Sequence, residues 1–474
     1  MQLFLSPDFN IQSLRRKPKS AAQKIKEFKE KIQSHSLTNI GRVLEAFIPA
    51  SLFDEHRPKT SRRRIFSIEN TFWGLFLQAL QPDSSCQSIV HQFRTSERGN
   101  KSSISASTSA YCQARKRLPT ELLSTIFNHT AQLKDTKHPL LGRRVVCADG
   151  TGLLAADTEE NQGVWPQQSS QKEGCGFSQI RLCALCNLHT GVAIDYRVGN
   201  KRSHELPLLR DQENSFAKND VFIGDKGFIC FYDQARLLDI GVDSIVALAR
   251  RKPVSAGDAE KIIGDNDLLI NVPKFTSTVA RSRYPKERWS ALPDAIQMRQ
   301  IKVDFSFPGY RSKGVYLLTT LLDEVRYPAA LIAELYRQRW GIELYFRDLK
   351  TTLGMEFIKA KTPEMARKEI QMFFIVFNVI RYLMSEAGNG SGDIVLAFKS
   401  CVQTLISYCN NGNTLPTKTS VMNISFLLSE IMKCTLYQRQ GRIEPRQIKQ
   451  RPKPFKLMTK PRSVLKEEML SQAA

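Results

Sequence analysis

At 474 residues the chain exceeds what one hydrophobic core usually supports, and its 42% hydrophobic content is ample for about two to four globular domains. The 69 Lys and Arg against 46 Asp and Glu leave a formal charge of +23, an excess that makes a polyanion the expected partner. The longest apolar run, MFFIVFNVI at 372–380, falls short of the roughly 20 residues of a spanning helix, which sets a membrane aside and puts nucleic acid ahead of an acidic protein.

The N-terminus, MQLFLSPDFNIQSLRRK, carries its positive charge after a short apolar start and so does not resemble a signal peptide; a cytosolic site of action is expected. Up to about residue 140 the pattern is helical, with basic clusters at 15–19 (RRKPK), 56–64 (HRPKTSRRR) and 111–119 (YCQARKRLP) that suit DNA contact. FSIENTFWGLFLQAL (66–80) has the apolar spacing of a core helix, and SSISASTSAY (102–111) leads into a further helix ending in ARKR.

At about residue 143 the texture changes to short β-rich runs, RRVVCADG, SQIRLCALCNL, GVAIDYRVG and NDVFIGDKGF, bounded by Gly, Asn and Asp. HELPLLRDQENSFA (204–217) and FYDQARLLDIG (231–241) read as helices, and DSIVALAR (243–250) as a strand. The order β-β-β-α-β-α-β is that of a ribonuclease-H-like core. DLLINVP, QIKVDFSF and GVYLLTTLLD between 251 and about 320 read as an antiparallel β insertion, and helix returns at 328. The segment 439–466 carries ten Lys or Arg against the single acid Glu444.

The ten cysteines show no framework spacing, which fits a reducing compartment. Cys183 and Cys186 have CxxC spacing, but on a strand such an offset sends the two side chains to opposite faces, and with only Cys175 and His189 nearby a zinc site is not expected. His204 reads as a helix-start residue.

YRQRWGIELYFRDLK (336–350) is predicted as one helix. At roughly 100° per residue, Tyr336, Arg339, Glu343 and Lys350 fall within about 60° of one another, so a phenol, a guanidinium, a carboxylate and an ammonium form one stripe where an apolar face is normal. A solvated, charge-paired face is the ordinary account of such a stripe, and two further acids weigh against it. Asp149 is expected at the end of the first strand and Asp225 at the end of the fourth, where neighbouring strands of one sheet bring them together; Glu343 then makes a third. Three acids held together repel unless hard divalent cations sit among them.

These motifs, ADGTG around Asp149, GDKGF around Asp225 and the Tyr-x2-Arg-x3-Glu-x6-Lys spacing, resemble the DDE transposases of the IS-four family of bacterial insertion sequences. The resemblance extends from about 60 to 390, and Lys226 stands where the family's second motif often has Arg. It implies a ribonuclease-H-like α/β core interrupted by a β-rich insertion. It also implies metal-dependent cleavage of double-stranded DNA at transposon ends, and strand transfer into target DNA. Asp149, Asp225 and Glu343 would hold two Mg2+ ions, for which Mn2+ could substitute, while Tyr336, Arg339, Trp340 and Lys350 would contact DNA. Family members act as dimers on paired ends through a hairpin intermediate, in the bacterial cytosol. The expected partition is a helical DNA-binding region (1–140), the first part of the catalytic core (141–250), the β-rich insertion (251–325), the second part of the core with the Glu helix (326–390), and a helical, basic C-terminal region (391–474). Trp289 in the insertion is a candidate for stacking on a displaced base. The competing readings are a transposase-derived DNA-binding protein without catalysis and a ribonuclease-H-like nuclease.

Overall fold

The computed structural model describes residues 38–57, 64–96, 104–132, 140–201, 203–248, 253–275, 284–304, 314–388, 395–411, 424–436 and 457–473. The basic cluster at 15–19, most of that at 56–64 and most of the basic segment at 439–466 lie outside them. The described part of the N-terminal region is helical: α1 (Thr38–Val43), α2 (Ile68–Leu80), α3 (Cys86–Ser96), α4 (Ser109–Arg117) and α5 (Thr120–Ala131). α2 starts where Ser67 Oγ accepts the Asn70 N–H at 3.1 Å, a side-chain cap of the kind that fixes a helix start. The cluster on α4 is split by burial, with Lys116 and Arg117 exposed while Arg115 turns inward to place Nη1 2.9 Å from Cys86 Sγ.

The sheet follows, with β1 (Val145–Ala155), α6 (Glu159–Val164), β2 (Ser178–Asn187), β3 (Ala193–Asn200), α7 (Glu205–Arg210), β4 (Val221–Gly224), α8 (Phe231–Asp239) and β5 (Asp243–Ala247). Three details depart from the sequence reading. β1 runs six residues past Asp149, which pairs with Ala184 in mid-strand. α7 is shorter than the predicted 204–217, and α6 was not foreseen. His204 is the N-cap of α7, as expected. Cys183 and Cys186 pack into different core clusters, so the two thiols do face opposite sides of β2.

The insertion supplies β6 (Lys261–Gly264), β7 (Asp267–Pro273), α9 (Lys286–Ala291), β8 (Ala295–Val303) and β9 (Val315–Thr319), all antiparallel. These strands continue the same sheet, whose order is β3-β2-β1-β4-β5-β9-β8-β7-β6, because β9 pairs antiparallel with β5. Trp289 on α9 is 4% exposed, with Phe275 at 4.4 Å and Tyr284 at 5.6 Å between ring centres. It is a core residue of the insertion, which corrects its reading as a base-stacking candidate: an indole walled in by aromatic rings has no face left for a base.

Beyond the sheet come α10 (Ala329–Gln338), α11 (Gly341–Arg347), β10 (Phe357–Ile358), α12 (Pro363–Gly388), α13 (Phe398–Asn411), α14 (Ile424–Met432) and α15 (Arg462–Ala473). By length and composition α12 could cross a membrane, which the apolar run alone did not suggest. It is instead an internal helix: 67% of its most apolar window is buried, and α2, α5 and α14 pack on it. Buried Asn378 ties it to the sheet, accepting from the Ala193 N–H at 2.8 Å and donating to the Ala193 carbonyl at 2.9 Å. One core cluster therefore joins the N-terminal helices, α12 and one face of the sheet, and a second fills the other face beneath α7 and α8.

The predicted helix 336–350 is broken. Around Arg339 and Trp340 the chain winds tightly, the N–H groups of Arg339, Ile342 and Glu343 reaching back three residues to the carbonyls of Tyr336, Arg339 and Trp340. Residues Asp348–Thr352 then widen into a π-helical turn. Gly341, a weak helix former, stands at the break, and Asp348 is drawn to Arg381 of α12 at 2.7 Å.

Candidate active site

Strand β1 has three neighbours, and the site lies where it changes from one to another. β2 pairs along its whole length on one side. On the other side β4 pairs in parallel with Val145–Cys147, and β10 pairs in parallel with Leu154 and Ala155. Between Cys147 and Leu154 that side of β1 is open, and Asp149 stands in the opening. Carboxyl ends of parallel strands that part in this way are the usual ligand crevices of mixed sheets. Asp149 Oδ1 accepts the Gly150 N–H at 2.8 Å.

Asp225 enters the same opening from β4. The strand stops at Gly224, and Asp225 caps the one-turn helix Lys226–Phe228, its Oδ1 accepting the Gly227 N–H at 2.6 Å. From the helical side come Tyr336, 5% exposed, and Arg339, 7% exposed, at the tight turn between α10 and α11. The guanidinium lies 5.4 Å above the Tyr336 ring, and Arg339 Nε has no hydrogen-bond partner among the described residues.

The electrostatics tie these groups together. Burial pushes the Asp149 carboxyl up to about 6; the Gly150 N–H and Arg339 work against the rise, and the charges of Asp225 and Glu205 add to it. Burial likewise pushes the Tyr336 hydroxyl up, with Arg339 opposing and Asp225 reinforcing. Asp149 therefore feels the charges of Arg339, Asp225 and Glu205, and Tyr336 those of Arg339 and Asp225. Glu205 is the member that sequence reading missed. Its signal was local: a glycine directly after Asp149, in a strand, marks close approach by another group.

The remaining stripe residues diverge. Glu343 is exposed on α11, one turn past Arg339, on a helix that packs against β1. Trp340 is partly buried against the core, and Lys350 is half-buried in the π turn. Glu343, on the turn that follows, is exposed where Tyr336 and Arg339 are buried. Among the described residues no three His, Cys, Asp or Glu side chains already stand at the distance of one ion. The donor set nevertheless fits a divalent cation: the acids are hard oxygen donors whose charges oppose one another, and the open N–H of Arg339 beside them suits an anion bound to the same centre.

Carboxylates beside a buried arginine with an open N–H are the donor types that metal-dependent phosphoryl transfer uses. The model of the family described as "Transposase DDE domain" matches residues 140–379, more than half of the chain, and the chain belongs to that family. The transposase InsG of insertion sequence element IS4 from Escherichia coli K12 is 25% identical over 426 residues, covering 88% of this chain and 92% of that protein. The putative transposase InsL of element IS186A, from the same strain, is 46% identical over 54 residues, 11% of this chain and 15% of its own length. A synaptic complex of piggyBac transposase with hairpin DNA aligns over 86% of both chains at a TM-score of 0.41 and 11% identity. The protein is a DDE transposase of the IS4 family, an enzyme of DNA transposition from a family that depends on divalent metal.

Proposed function

We propose that this transposase cuts double-stranded DNA at the ends of its element and joins those ends to target DNA, with Asp149, Asp225 and Glu343 holding two Mg2+ ions. The observation that carries the reading is the opening beside β1, where Asp149 and Asp225 meet a buried arginine with an unpartnered N–H. Bound there, the cations would polarise the scissile phosphate and lower the pKa of the attacking hydroxyl. Asp149 and Asp225 fix the site from two adjacent parallel strands, and Glu343 is the third ligand, one turn beyond Arg339. Arg339 donates its free N–H to a phosphate oxygen, held at the right height by the Tyr336 ring beneath it, and Lys350 adds a phosphate contact further along the backbone. Trp340 packs beneath this face. With its pKa raised to about 6, Asp149 in the empty site takes up a proton as pH falls below about 6, and cation binding there releases it.

In this reading the helical region 1–140 grips the DNA ends, and the ribonuclease-H-like core is 141–250 with 326–390. The β-rich insertion 251–325 widens its sheet, and the basic region 391–474 adds further phosphate contacts. Two copies act on paired ends through a hairpin intermediate in the bacterial cytosol.

The test uses DNA carrying the terminal inverted repeats that flank the coding region. Asp149→Ala, Asp225→Ala and Glu343→Ala should each abolish Mg2+-dependent cleavage while leaving end binding largely intact. Cleavage retained by any one of them removes that residue from the ligand set.

A further inference from the structure

We propose that Glu369 is a positioning residue of the cleavage site: it fixes β10, the far lip of the opening beside β1, to the basic end of α4, so that DNA held there is registered on Asp149 and Asp225. The inference rests on the reading of those aspartates as the cleavage site. β10 is two residues long and pairs, among the described strands, with β1 alone. The Leu154 and Ala156 N–H groups donate to the Glu356 and Ile358 carbonyls, both at 3.0 Å, and so short a ladder is marginal by itself. Side chains from elsewhere hold it. Glu369 of α12, 8% exposed, turns both carboxylate oxygens to the segment that follows β10, accepting the Lys359 N–H at 3.1 Å and the Ala360 N–H at 2.9 Å. Buried Asn161 takes the carbonyl side, donating to the Ala156 and Ala360 carbonyls at 3.0 Å each.

The same turn of α12 grips the N-terminal helices. Lys368, 2% exposed, donates to the Lys116 carbonyl in the last turn of α4 at 2.8 Å and pairs with Glu364 at 2.7 Å. An ammonium at that place also faces the negative end of the helix dipole. Burial raises the Glu369 pKa, and Arg115 of α4 is near enough to oppose the rise together with the Lys359 and Ala360 N–H groups. Lys359 Nζ in turn donates to the carbonyl of Pro82, just beyond α2, at 2.7 Å. Lip and α4 are thus joined through Glu369 and Lys368, and buried polar clusters of this kind rigidify what they join. The side chains of Lys116 and Arg117 are left exposed for phosphates. An amide at Glu369 would keep one acceptor and set its own N–H against the other backbone N–H, which frees the lip without touching a metal ligand or a phosphate contact.

The experiment follows single-turnover cleavage, by the full-length protein in Mg2+, of DNA carrying the flanking terminal inverted repeats, over a range of DNA concentrations and with rates expressed per folded molecule from urea unfolding. Glu369→Gln should lower the saturating rate about tenfold or more, because a shift of about 1 Å at a reacting centre costs up to a hundredfold. Its half-saturating DNA concentration, and its Mn2+ affinity by calorimetry, should stay within about threefold of the parent, since every contact is present but misaligned. A purely structural glutamate would lower the unfolding midpoint and leave the rate per folded molecule where it was, a result that overturns the proposal. Lys359→Gln, an exposed change that frees the lip from Pro82, should lower the saturating rate about threefold. It decides the matter if Glu369→Gln does not fold, and a parent-like rate then overturns the proposal. Lys116→Gln combined with Arg117→Gln should instead raise the half-saturating DNA concentration about tenfold, and an unchanged concentration overturns the role given to α4. A parent-like rate in Glu369→Gln beside an inactive Asp149→Asn overturns this inference and leaves the aspartates in place, whereas cleavage by Asp149→Asn removes the underlying reading and this inference with it.

Discussion

Replacing Asp149 by Asn should make the metal-free protein more stable at neutral pH while ending its activity. The folded carboxyl titrates near 6 against an ordinary value of 3.8, a net result of burial and neighbouring acids after the Gly150 hydrogen bond and Arg339 have offset part of it. The folded state therefore holds its proton more tightly than the unfolded chain. Its favourable contribution is complete below about pH 4 and is lost as pH rises through 6, because over that interval folding takes up a proton. At about 1.4 kcal/mol for each tenfold change in proton affinity, the ionised Asp149 costs the apo fold about 3 kcal/mol at pH 8. Asparagine keeps the shape and can still accept from the Gly150 N–H, but it carries no charge to desolvate. Urea unfolding in EDTA at pH 8 should give Asp149→Asn a higher midpoint than the parent, with the difference vanishing near pH 4. Added Mn2+ should close the gap at pH 8 by stabilising only the parent. A variant no more stable than the parent at pH 8 in EDTA would refute the claim that the buried charge is uncompensated in the apo site.

Trp289→Ala should lose about 3 to 5 kcal/mol of stability by emptying the aromatic cluster of the insertion, measured by chemical unfolding, and an unchanged midpoint would return Trp289 to the surface role it lacks here. Asp267→Asn leaves Arg299, fully buried and paired with Asp267 across β7 and β8, without its counter-charge; a loss of about 3 to 5 kcal/mol is expected, and no loss would show that the Leu321 and Tyr327 carbonyls suffice. Glu343→Gln should weaken Mn2+ binding, whereas Lys350→Ala should slow cleavage and leave Mn2+ affinity near the parent value; equal metal loss in both would end that division of labour.

What the sequence determined by itself were the features written in local chemistry. The switch from helical periodicity to β-rich runs at 143, His204 as a helix start and the opposed thiols of Cys183 and Cys186 each follow from spacing, because side-chain direction on a strand or helix is fixed by period. The Tyr-x2-Arg-x3-Glu-x6-Lys signature was legible as a motif but not as a geometry. An assumed 100° per residue aligns it, whereas the chain winds tightly at Arg339 and widens at Asp348–Thr352 into a π turn anchored by Arg381, with Tyr336 and Arg339 buried and Glu343 exposed. Only the tertiary structure decided that, since Arg381 stands 33 residues away from Asp348 and the pull of one on the other acts through space. The same holds for the opening beside β1, made by β4 and β10 from positions some 70 and 200 residues downstream, and for Glu205, which lies against β1 where Gly150 has no side chain. A buried carboxylate's neighbours are set by packing, and packing joins residues that no local period connects.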